Sequence, residues 1–439
     1  IVEATIALHT VFNSPVDHIV YDVSHQTYPH KMLTGRKQAY MDPALYDSVS
    51  PYTDPAETPH DLFKIGHTST SISLALGLAK ARDIMDGKEN IIAVIGDGSM
   101  SGGEALEGLN VAGELNSNFI IVFNDNQMSI AENHGGMYDQ FAELRRTNGA
   151  AENNLFKSMG LDYLYVNDGN DIEALLAAFE QVKGSTHPVV VHINTLKGKG
   201  YAPAEANKEK WHWHMPFDIQ TGQSPASGSS ESYASIFAEY ALKRAKTDPK
   251  FLVLMSAVPG LLGLTQERRE ELGKHYLDVG IAEETAVAMA SGAAHAGAHV
   301  VWGSSATFIQ RTYDQLTQDL ALNQNPAVIV GSGSIRGLMA ATHQGLSSIS
   351  MIANIPNMVY LAPSNAEEYI AMLDWALDQD KHPVYIAIPS GPVVHAEGPV
   401  RTNFDALNTY EVTRKGSKVA VLALGDFYDL GEKTVEALS

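Results

Sequence analysis

Residues 91–128 read IIAVIGDGSMSGGEALEGLNVAGELNSNFIIVFNDNQM, and this stretch decides the fold. Two runs rich in Ile and Val, at 90–95 and 119–123, flank an Ala- and Leu-rich segment with helical spacing at 103–115. Buried parallel strands read as short continuous apolar runs, and a helix between two of them is the repeating unit of a doubly wound sheet. We therefore predict an α/β protein built on parallel strands.

The same alternation extends over most of the chain. In the first half it continues with helical patterns at 71–83 and 172–182 and an apolar run at 189–193. The polar stretch TGQSPASGSS, at 221–230, has no periodicity and is typical of a linker. Beyond it the pattern predicts strands at 299–302, 327–330, 358–361 and 384–388, and helices at 284–295 and 366–377.

At 439 residues the chain is longer than one hydrophobic core usually organises, so we expect more than one domain. The predicted boundaries are 1–220 for a first α/β domain, 221–232 for the linker, 233–395 for a second α/β domain and 396–439 for the start of a C-terminal α/β domain. The last prediction rests on a strand at 418–424, followed by a helical pattern from Gly431. Because the chain begins at Ile1 and stops soon after that strand, we expect it to be part of a longer protein.

Composition and charge exclude several classes of protein. Thirty basic against 51 acidic residues give a net charge of −21, which repels phosphate backbones and anionic membranes, so neither nucleic acid nor membrane is expected as a partner. The absence of cysteine excludes disulfides, thiolate chemistry and Cys-ligated zinc. There is no apolar run of 18 residues and no signal-peptide pattern, so we expect a cytoplasmic enzyme.

Polar side chains occupy the ends of the two strands in the opening stretch. A Gly-Asp-Gly-Ser turn at 96–99 precedes a helix start, where free amides favour phosphate, although such a turn is more often an ordinary connection. Asp97 and Asn126 lie 29 residues apart at the carboxyl ends of neighbouring strands, where parallel sheets bind ligands. With a backbone carbonyl from Met128 they provide oxygen ligands of the kind that Mg²⁺ prefers, and diphosphate oxygens would complete the shell.

These residues resemble the thiamin-diphosphate-dependent enzymes, whose fingerprint joins Gly-Asp-Gly to an Asn-containing strand end. Flanking sequence narrows the resemblance to the 1-deoxy-D-xylulose-5-phosphate synthase family of the transketolase superfamily. The stretches that carry it are YDVSHQTYPHK at 21–31, GHTSTSIS at 66–73, GKGYAPAE at 198–205, DVGIAE at 278–283, TFIQRTYDQ at 307–315, THQG at 342–345 and IPNM at 355–358.

The resemblance implies two facing, doubly wound domains, one binding the diphosphate and one the pyrimidine, plus a C-terminal transketolase-like domain. It implies thiamin diphosphate and Mg²⁺ as cofactors and a homodimer. It also implies a transferase that adds two carbons of pyruvate, with loss of CO₂, to glyceraldehyde 3-phosphate, in isoprene and thiamin biosynthesis.

The resemblance also assigns roles to single residues. Glu283 would hydrogen-bond the cofactor's aminopyrimidine, and its apolar context at 279–287 favours a protonated carboxyl; Glu284 is the solvated alternative. The implied cofactor contacts are His25, Gly66, His67, Thr68, Gly98, Ser99, Asn126, Tyr201, Glu283 and Phe308. The implied catalytic set is Glu283, His343, His212 and Arg311, and for His212 only position matching selects it over His214.

Several departures from the family fall where it holds its acceptor. Two phosphate-binding arginines are replaced within the runs GSGS at 331–334 and IPSG at 388–391, with Arg336 as a candidate substitute. Three further positions differ from the family. Met339 occupies the position of a family Asp, Glu284-Thr285 that of a Gln-His pair, and Ser305 that of an aromatic residue. The stretch at 133–155 is also shorter than in the family. These changes favour a divergent paralogue, with ketol transfer or carboligation on an unphosphorylated acceptor as the alternative activity. A non-enzymatic relic is disfavoured because Asp97 and Glu283 are both present.

Overall fold

The computed structural model of the protein describes residues 1–224, 231–333 and 341–438. The chain divides into two compact units, Ile1–Ala226 and Ser227–Ser439, and each contains one fully parallel sheet. The prediction of two parallel-sheet α/β units is therefore confirmed. Residues 225–230 of the predicted linker lie outside the described residues.

The first unit is a five-stranded sheet in the order β1-β2-β3-β5-β4. Its strands are β1 (His18–Tyr21), β2 (Ile91–Gly96), β3 (Phe119–Asp125), β4 (Asp162–Val166) and β5 (Pro188–Asn194). Its helices are α1 (Val2–Val11), α2 (Tyr28–Lys31), α3 (Gln38–Met41), α4 (Ser71–Ile84), α5 (Gly103–Ala112), α6 (Met137–Arg146), α7 (Leu155–Ser158), α8 (Ile172–Val182) and α9 (Ala202–Ala206), with a π-helical turn at Met32–Arg36 and 3₁₀ turns at Pro43–Ser48 and Ser99–Ser101.

The second unit is a six-stranded sheet in the order β10-β11-β9-β8-β6-β7. Its strands are β6 (Phe251–Met255), β7 (Tyr276–Asp278), β8 (His299–Ser305), β9 (Val328–Ser332), β10 (Val359–Leu361) and β11 (Val384–Ile388). Its helices are α10 (Tyr233–Thr247), α11 (Gln266–Leu272), α12 (Glu283–His295), α13 (Ala306–Ile309), α14 (Tyr313–Gln315), α15 (Ser348–Ala353), α16 (Ala366–Asp378) and α17 (Tyr428–Leu438), with 3₁₀ turns at Pro259–Leu262, Gly273–His275, Gln310–Thr312, Ala341–His343 and Gly425–Phe427 and a π-helical turn at Leu316–Ala321.

Strand β2 explains why these apolar runs fold as buried strands. Ile91, Ala93 and Ile95 point to the face that α4 and α5 cover. Ile92 and Val94 point to the face that α1 and α8 cover. Since alternate side chains of a strand point to opposite faces, a sheet covered on both sides needs a continuous apolar run.

The predicted strand at 418–424 is wrong. Residues 419–424 have no strand structure and are exposed, whereas the helical pattern predicted from Gly431 belongs to α17. A strand needs a neighbour to hydrogen-bond with, and apolar alternation alone does not supply one. In the described ranges no helix is long and apolar enough to cross a membrane.

We expect Ile121→Ala to lower the free energy of unfolding by about 2–5 kcal/mol, because the side chain is completely buried in β3 and its removal leaves a cavity. The matched control is Ile84→Ala at the end of α4, where the side chain is 73% exposed. The control should change stability by less than about 0.5 kcal/mol. Urea unfolding followed by circular dichroism measures both, and equal effects would contradict the packing described.

Candidate active site

The first cluster of predicted site residues lies at the carboxyl edge of the first sheet. Asp97 directly follows β2, and Asn126 directly follows β3. The register pairs Gly96 with Asn124, and the Asp97 amide continues that pairing by donating to the Asn124 carbonyl at 3.1 Å. The two strand ends therefore present Asp97 and Asn126 at the same edge.

Asp97 is a deeply buried carboxyl group whose desolvation outweighs the hydrogen bonds that it accepts. It is 2% exposed, and its Oδ2 accepts a hydrogen bond from Asn133 Nδ2 at 2.8 Å. Burial and the neighbouring charge of Asp125 raise the pKa of Asp97 to about 7, although backbone amides of Met128 and Gly98 oppose the rise. An opposite charge close by is what would favour the ionised form of such a group.

Two amide oxygens beside Asp97 have no hydrogen-bond partner among the described residues. They are Oδ1 of Asn126 and Oδ1 of Asn133, and both are buried. A buried acceptor without a partner costs about 1–3 kcal/mol, so each of these oxygens is expected to be satisfied by a water molecule or by a ligand. The described parts of the chain contain no group of three or more His, Asp or Glu side chains arranged to hold a metal ion, so a metal there would rely on such mixed oxygen ligands.

Sequence reasoning missed the network that shapes the loop after β3. Asp125 Oδ1 accepts from the Gln127 amide at 3.1 Å, and Gln127 has a left-handed φ of 66°. Asp125 Oδ2 accepts from Arg145 and lies 3.0 Å from His192 Nε2. The Tyr163 hydroxyl lies 2.7 Å from His192 Nδ1. The sequence does contain a signal for this network, because His192 is the one titratable residue inside the apolar run of β5.

Gly98 lies where the loops after β2 and β3 approach each other. A Cβ at this position would lie 2.7 Å from Ser129 Oγ and 2.9 Å from Ser129 Cβ. Only glycine avoids this overlap, so the close approach of the two loops requires Gly98. Ser99, another predicted cofactor contact, is buried in the 3₁₀ turn that follows.

Asp22 joins the other two predicted cofactor segments to this turn. Its carboxylate accepts from the amides of Ser69 at 2.9 Å and Ser71 at 3.0 Å, and burial raises its pKa. The Ser69 hydroxyl in turn donates to the Ser99 carbonyl at 2.8 Å. The structure thus joins 21–31, 66–73 and 96–99 at one edge, where Gly66 is buried and His67 and Thr68 are half-buried.

His25, His212 and Tyr201 complete this cluster. The rings of His25 and His212 lie 5.6 Å apart, centroid to centroid. Burial, followed by the charges of Lys197 and His25, lowers the pKa of His212 to about 3. Tyr201 packs against Trp211 at 5.1 Å, and its buried hydroxyl has no hydrogen-bond partner in the described residues.

The second cluster lies in the second unit and contains Glu283, Arg311, Phe308 and His343. Glu283 begins α12, is 3% exposed, and its Oε2 makes no hydrogen bond to a described residue. Burial raises the pKa of Glu283 to about 7, and Arg311, 3.8 Å away, partly opposes this. Phe308 and His343 meet edge to face at 5.5 Å.

His343 is positioned by its own neighbours in this cluster. Its Nδ1 lies 3.0 Å from the Thr342 hydroxyl, and the Thr307 hydroxyl donates to the Thr342 carbonyl at 3.3 Å. Burial lowers the pKa of His343, which favours a neutral ring. The structure therefore gathers the predicted residues into two clusters, one in each unit.

Comparison with known proteins assigns the family. A model described as 1-deoxy-D-xylulose-5-phosphate synthase matches residues 1–154 and 145–195, and one described as transketolase, pyrimidine binding domain, matches 230–393. The 1-deoxy-D-xylulose-5-phosphate synthase of Pelotomaculum thermopropionicum is 36% identical over 475 residues, covering 100% of this chain and 74% of that protein. The chain belongs to the 1-deoxy-D-xylulose-5-phosphate synthase family.

Other relatives agree with this assignment. The 1-deoxy-D-xylulose-5-phosphate synthase 1 of Geobacter sulfurreducens is 37% identical and covers 97% of this chain and 72% of that protein. A solved transketolase from Pichia stipitis is 16% identical and covers 96% of this chain and 76% of its own, at a TM-score of 0.43, which adds nothing to the assignment. The chain is accordingly a transferase of the transketolase class.

The two runs that have lost the family's arginines lie at the ends of neighbouring strands. The register pairs Ser332 at the end of β9 with Ile388 at the end of β11. Just beyond β11, the Ser390 amide donates to the carboxylate of Asp426 at 3.1 Å. An acidic group therefore contacts Ser390, at the position where the family resemblance implies an arginine. Ser334, Arg336 and Met339 lie outside the described residues.

We expect Glu283→Gln to raise the thermal unfolding midpoint of the cofactor-free protein at pH 8 and to leave it nearly unchanged at pH 5. The raised pKa of about 7 means that Glu283 stabilises the folded state at low pH and loses that contribution as pH rises from 4.5. Ionising Glu283 at pH 8 costs roughly 1–3 kcal/mol, which the amide avoids. Differential scanning fluorimetry at both pH values measures the effect.

Glu284→Gln is the matched control, because it removes the adjacent carboxyl and keeps Glu283. The control should retain most of the pH dependence of the wild-type midpoint, because burial of Glu283 is the largest cause of its raised pKa and the charge of Glu284 is a smaller one. A midpoint change of equal size at pH 5 and pH 8 in Glu283→Gln would contradict the assignment of a buried, protonated carboxyl.

Proposed function

We propose that the protein is a thiamin-diphosphate- and Mg²⁺-dependent carboligase that forms 1-deoxy-D-xylulose 5-phosphate and CO₂ from pyruvate and glyceraldehyde 3-phosphate. The observation that carries the proposal is the buried Asp97, flanked by unpartnered amide oxygens, within a chain whose relatives are named for this reaction. A homodimer, a cytoplasmic location and a place in isoprenoid and thiamin biosynthesis belong to the proposal and rest on the family assignment.

The residues after β2 and β3 fit a hard cation. Mg²⁺ takes oxygen ligands almost exclusively, and it usually keeps several sites for phosphate oxygens and water. Asp97 offers a carboxylate, Asn126 an Oδ1 without a partner, and Met128 a backbone carbonyl at the same loop. We propose that these three hold Mg²⁺ and that the diphosphate lies against Gly98, with the Ser99 amide at the start of the 3₁₀ turn as its hydrogen-bond donor.

The second unit supplies the proton chemistry of the proposal. When bound, thiamin diphosphate supplies a nucleophilic carbon and an electron sink. Glu283 keeps a proton near neutral pH because its carboxyl is desolvated, and its Oε2, which makes no hydrogen bond to a described residue, is available to hydrogen-bond a ring nitrogen. Phe308 offers a ring face to an aromatic group, and His343 beside it is favoured in its neutral form, which can hold or accept a proton.

The first unit would orient the reactants. By the family resemblance, His25 and His67 lie beside the diphosphate and His212 faces the substrate. The contact between the rings of His25 and His212, at 5.6 Å, supports one shared site for them. In the second unit, Arg311 offers a guanidinium to an anionic group of a substrate, in line with the catalytic role that the family resemblance implies for it.

We expect Asp97→Asn to weaken Mg²⁺-dependent binding of thiamin diphosphate by at least about 10-fold. Substitution of residues that only hydrogen-bond to a metal ligand already lowers metal affinity by that factor, and Asp97 is a proposed ligand itself. The control is Asp139→Asn on α6, where the carboxyl is exposed. Isothermal titration with Mg²⁺ and with EDTA measures the affinity. Removal of Mg²⁺ should abolish wild-type binding, and its return should restore it; binding that ignores Mg²⁺ would contradict the site.

The activity itself is tested by CO₂ release from pyruvate with Mg²⁺ and thiamin diphosphate. Glyceraldehyde 3-phosphate should stimulate release and yield deoxyxylulose phosphate. Cofactor binding without consumption of pyruvate or of the aldehyde would overturn the proposed reaction while leaving the cofactor site in place.

A second candidate function is carboligation or ketol transfer to an unphosphorylated acceptor. The contact between the Ser390 amide and the Asp426 carboxylate favours it, because a carboxylate repels a phosphate group. The family places an arginine in each of the runs at 331–334 and 388–391, and a bidentate guanidinium is a strong binder of phosphate.

If the unphosphorylated acceptor is correct, wild-type kcat/KM should be higher for glyceraldehyde than for glyceraldehyde 3-phosphate. Ser390→Arg should then lower the KM for the phosphorylated aldehyde about 10-fold, the equivalent of one charge-assisted hydrogen bond. The KM for glyceraldehyde is the internal control and should stay unchanged. Steady-state kinetics decides, and a wild-type preference for the phosphorylated aldehyde would contradict this second candidate.

A further inference from the structure

Lys197 lies in the loop that follows β5 and makes two specific contacts. Its ammonium donates to the carbonyl of Ser129, one residue after Met128. The same Nζ lies 3.0 Å from Nδ1 of His212. One side chain therefore joins the loop after β3 to the predicted substrate-facing histidine. The family resemblance assigns no role to Lys197.

The chemistry of an ammonium group fixes the direction of the second hydrogen bond. A lysine ammonium has three donors and no acceptor, so the partner nitrogen must carry a lone pair. Nδ1 of His212 is thus the acceptor, and the ring proton of the neutral histidine lies on Nε2. The hydrogen bond at one ring nitrogen decides which tautomer a histidine adopts.

We propose that Lys197 is a positioning residue that holds His212 as the neutral Nε2–H tautomer, so that His212 serves the reaction as a hydrogen-bond donor and not as a base. The reaction in question is the one proposed above, on which this inference rests. In the Nε2–H tautomer the only free ring position of His212 is a donor, suited to a carbonyl or hydroxyl oxygen of a substrate.

The charges around the pair agree with this assignment. Burial, with Lys197 and His25, lowers the pKa of His212 to about 3, so the ring stays neutral in the working range. Burial lowers the pKa of Lys197 to about 8, while the charge of Asp97 opposes the shift, so the ammonium predominates at pH 7. Lys208 and Glu209 also act on Lys197, with opposite signs.

A neutral histidine has a chemical advantage at such a position. A neutral imidazole N–H can polarise a carbonyl oxygen without giving up its proton at ordinary pH. A histidine free to exchange tautomers would present Nε2 as an acceptor part of the time, and a misplaced ring proton costs catalysis heavily in the enzymes where it has been tested. Lys197 removes that alternative by occupying Nδ1.

The test reads the tautomer directly in the whole protein. Ring-¹⁵N histidine NMR spectra are recorded at pH 7 for the wild type, Lys197→Met, Lys197→Gln and Lys210→Met. His212→Gln identifies the His212 signals by their loss. Lys197→Met removes the donor at similar length, Lys197→Gln restores a neutral donor, and Lys210→Met is the matched control at an exposed lysine two residues before His212.

We expect the Nε2–H pattern for His212 in the wild type and in Lys210→Met, a mixture of tautomers in Lys197→Met, and recovery of the Nε2–H pattern in Lys197→Gln. An Nδ1–H pattern in the wild type would overturn the proposal. A Lys197→Met spectrum identical to the wild type would also overturn it. No substrate is present, so these results stand apart from any failure of the proposed reaction.

Steady-state kinetics then tests the functional half of the proposal. Lys197→Met should lower kcat at least about 10-fold, a modest share of what a proton-handling or donor group contributes, with little change in the KM for pyruvate. Lys197→Gln should recover a substantial part of kcat. An unchanged kcat in Lys197→Met, or a loss that Lys197→Gln does not relieve, would overturn the positioning role.

Discussion

The hydrogen bond from the Asp97 amide to the Asn124 carbonyl continues the pairing of β2 with β3 beyond the sheet, and the first site depends on it. It places the first residue after β2 beside the last residues of β3. Because both strands are buried on both faces, their register is fixed by packing of their alternating side chains. The positions of Asp97 and Asn126 are therefore set by the hydrophobic core and do not depend on a mobile loop.

Desolvation then acts on two carboxyl groups with opposite consequences. Burial raises the pKa of both Asp97 and Glu283 to about 7. In the first unit, Asp97 lies beside amide oxygens that have no hydrogen-bond partner among the described residues. A cation bound to this set of oxygens would favour the ionised form of Asp97. In the second unit, Oε2 of Glu283 lies 3.8 Å from Arg311 and makes no hydrogen bond to a described residue, a setting for a protonated donor. Environments of this kind assign different roles to similar carboxyl groups.

Sequence alone predicted several of the strands whose apolar runs are continuous, although it missed β6, whose run FLVLM is equally apolar. Strands β2, β3 and β5 are buried on both faces, so each reads as an unbroken run of Ile, Val and Phe. Strand β4 was not predicted, because its sequence DYLYV is half-buried at the sheet edge and carries polar groups. The strand predicted at 418–424 failed for the opposite reason, since its apolar residues have no neighbouring strand.

The residues of the candidate site also divide into those that sequence motifs predicted and those that only the fold brings together. Asp97, Asn126 and Glu283 were found because they occupy short motifs next to recognisable strands or helix starts. The links from Asp125 to His192 and on to Tyr163 depend on the pairing of β3, β5 and β4, which no local pattern specifies. The contact between Lys197 and His212 likewise needs a specific chain path between the two residues, and residue type alone gave no reason to connect them.

The most direct test of the account is a crystal structure of the protein with thiamin diphosphate and Mn²⁺, which replaces Mg²⁺ and gives an anomalous signal. The account predicts one anomalous peak ligated by Asp97, by Oδ1 of Asn126 and by the carbonyl of Met128. A cofactor bound without metal at these oxygens, or a metal bound elsewhere in the chain, would contradict it.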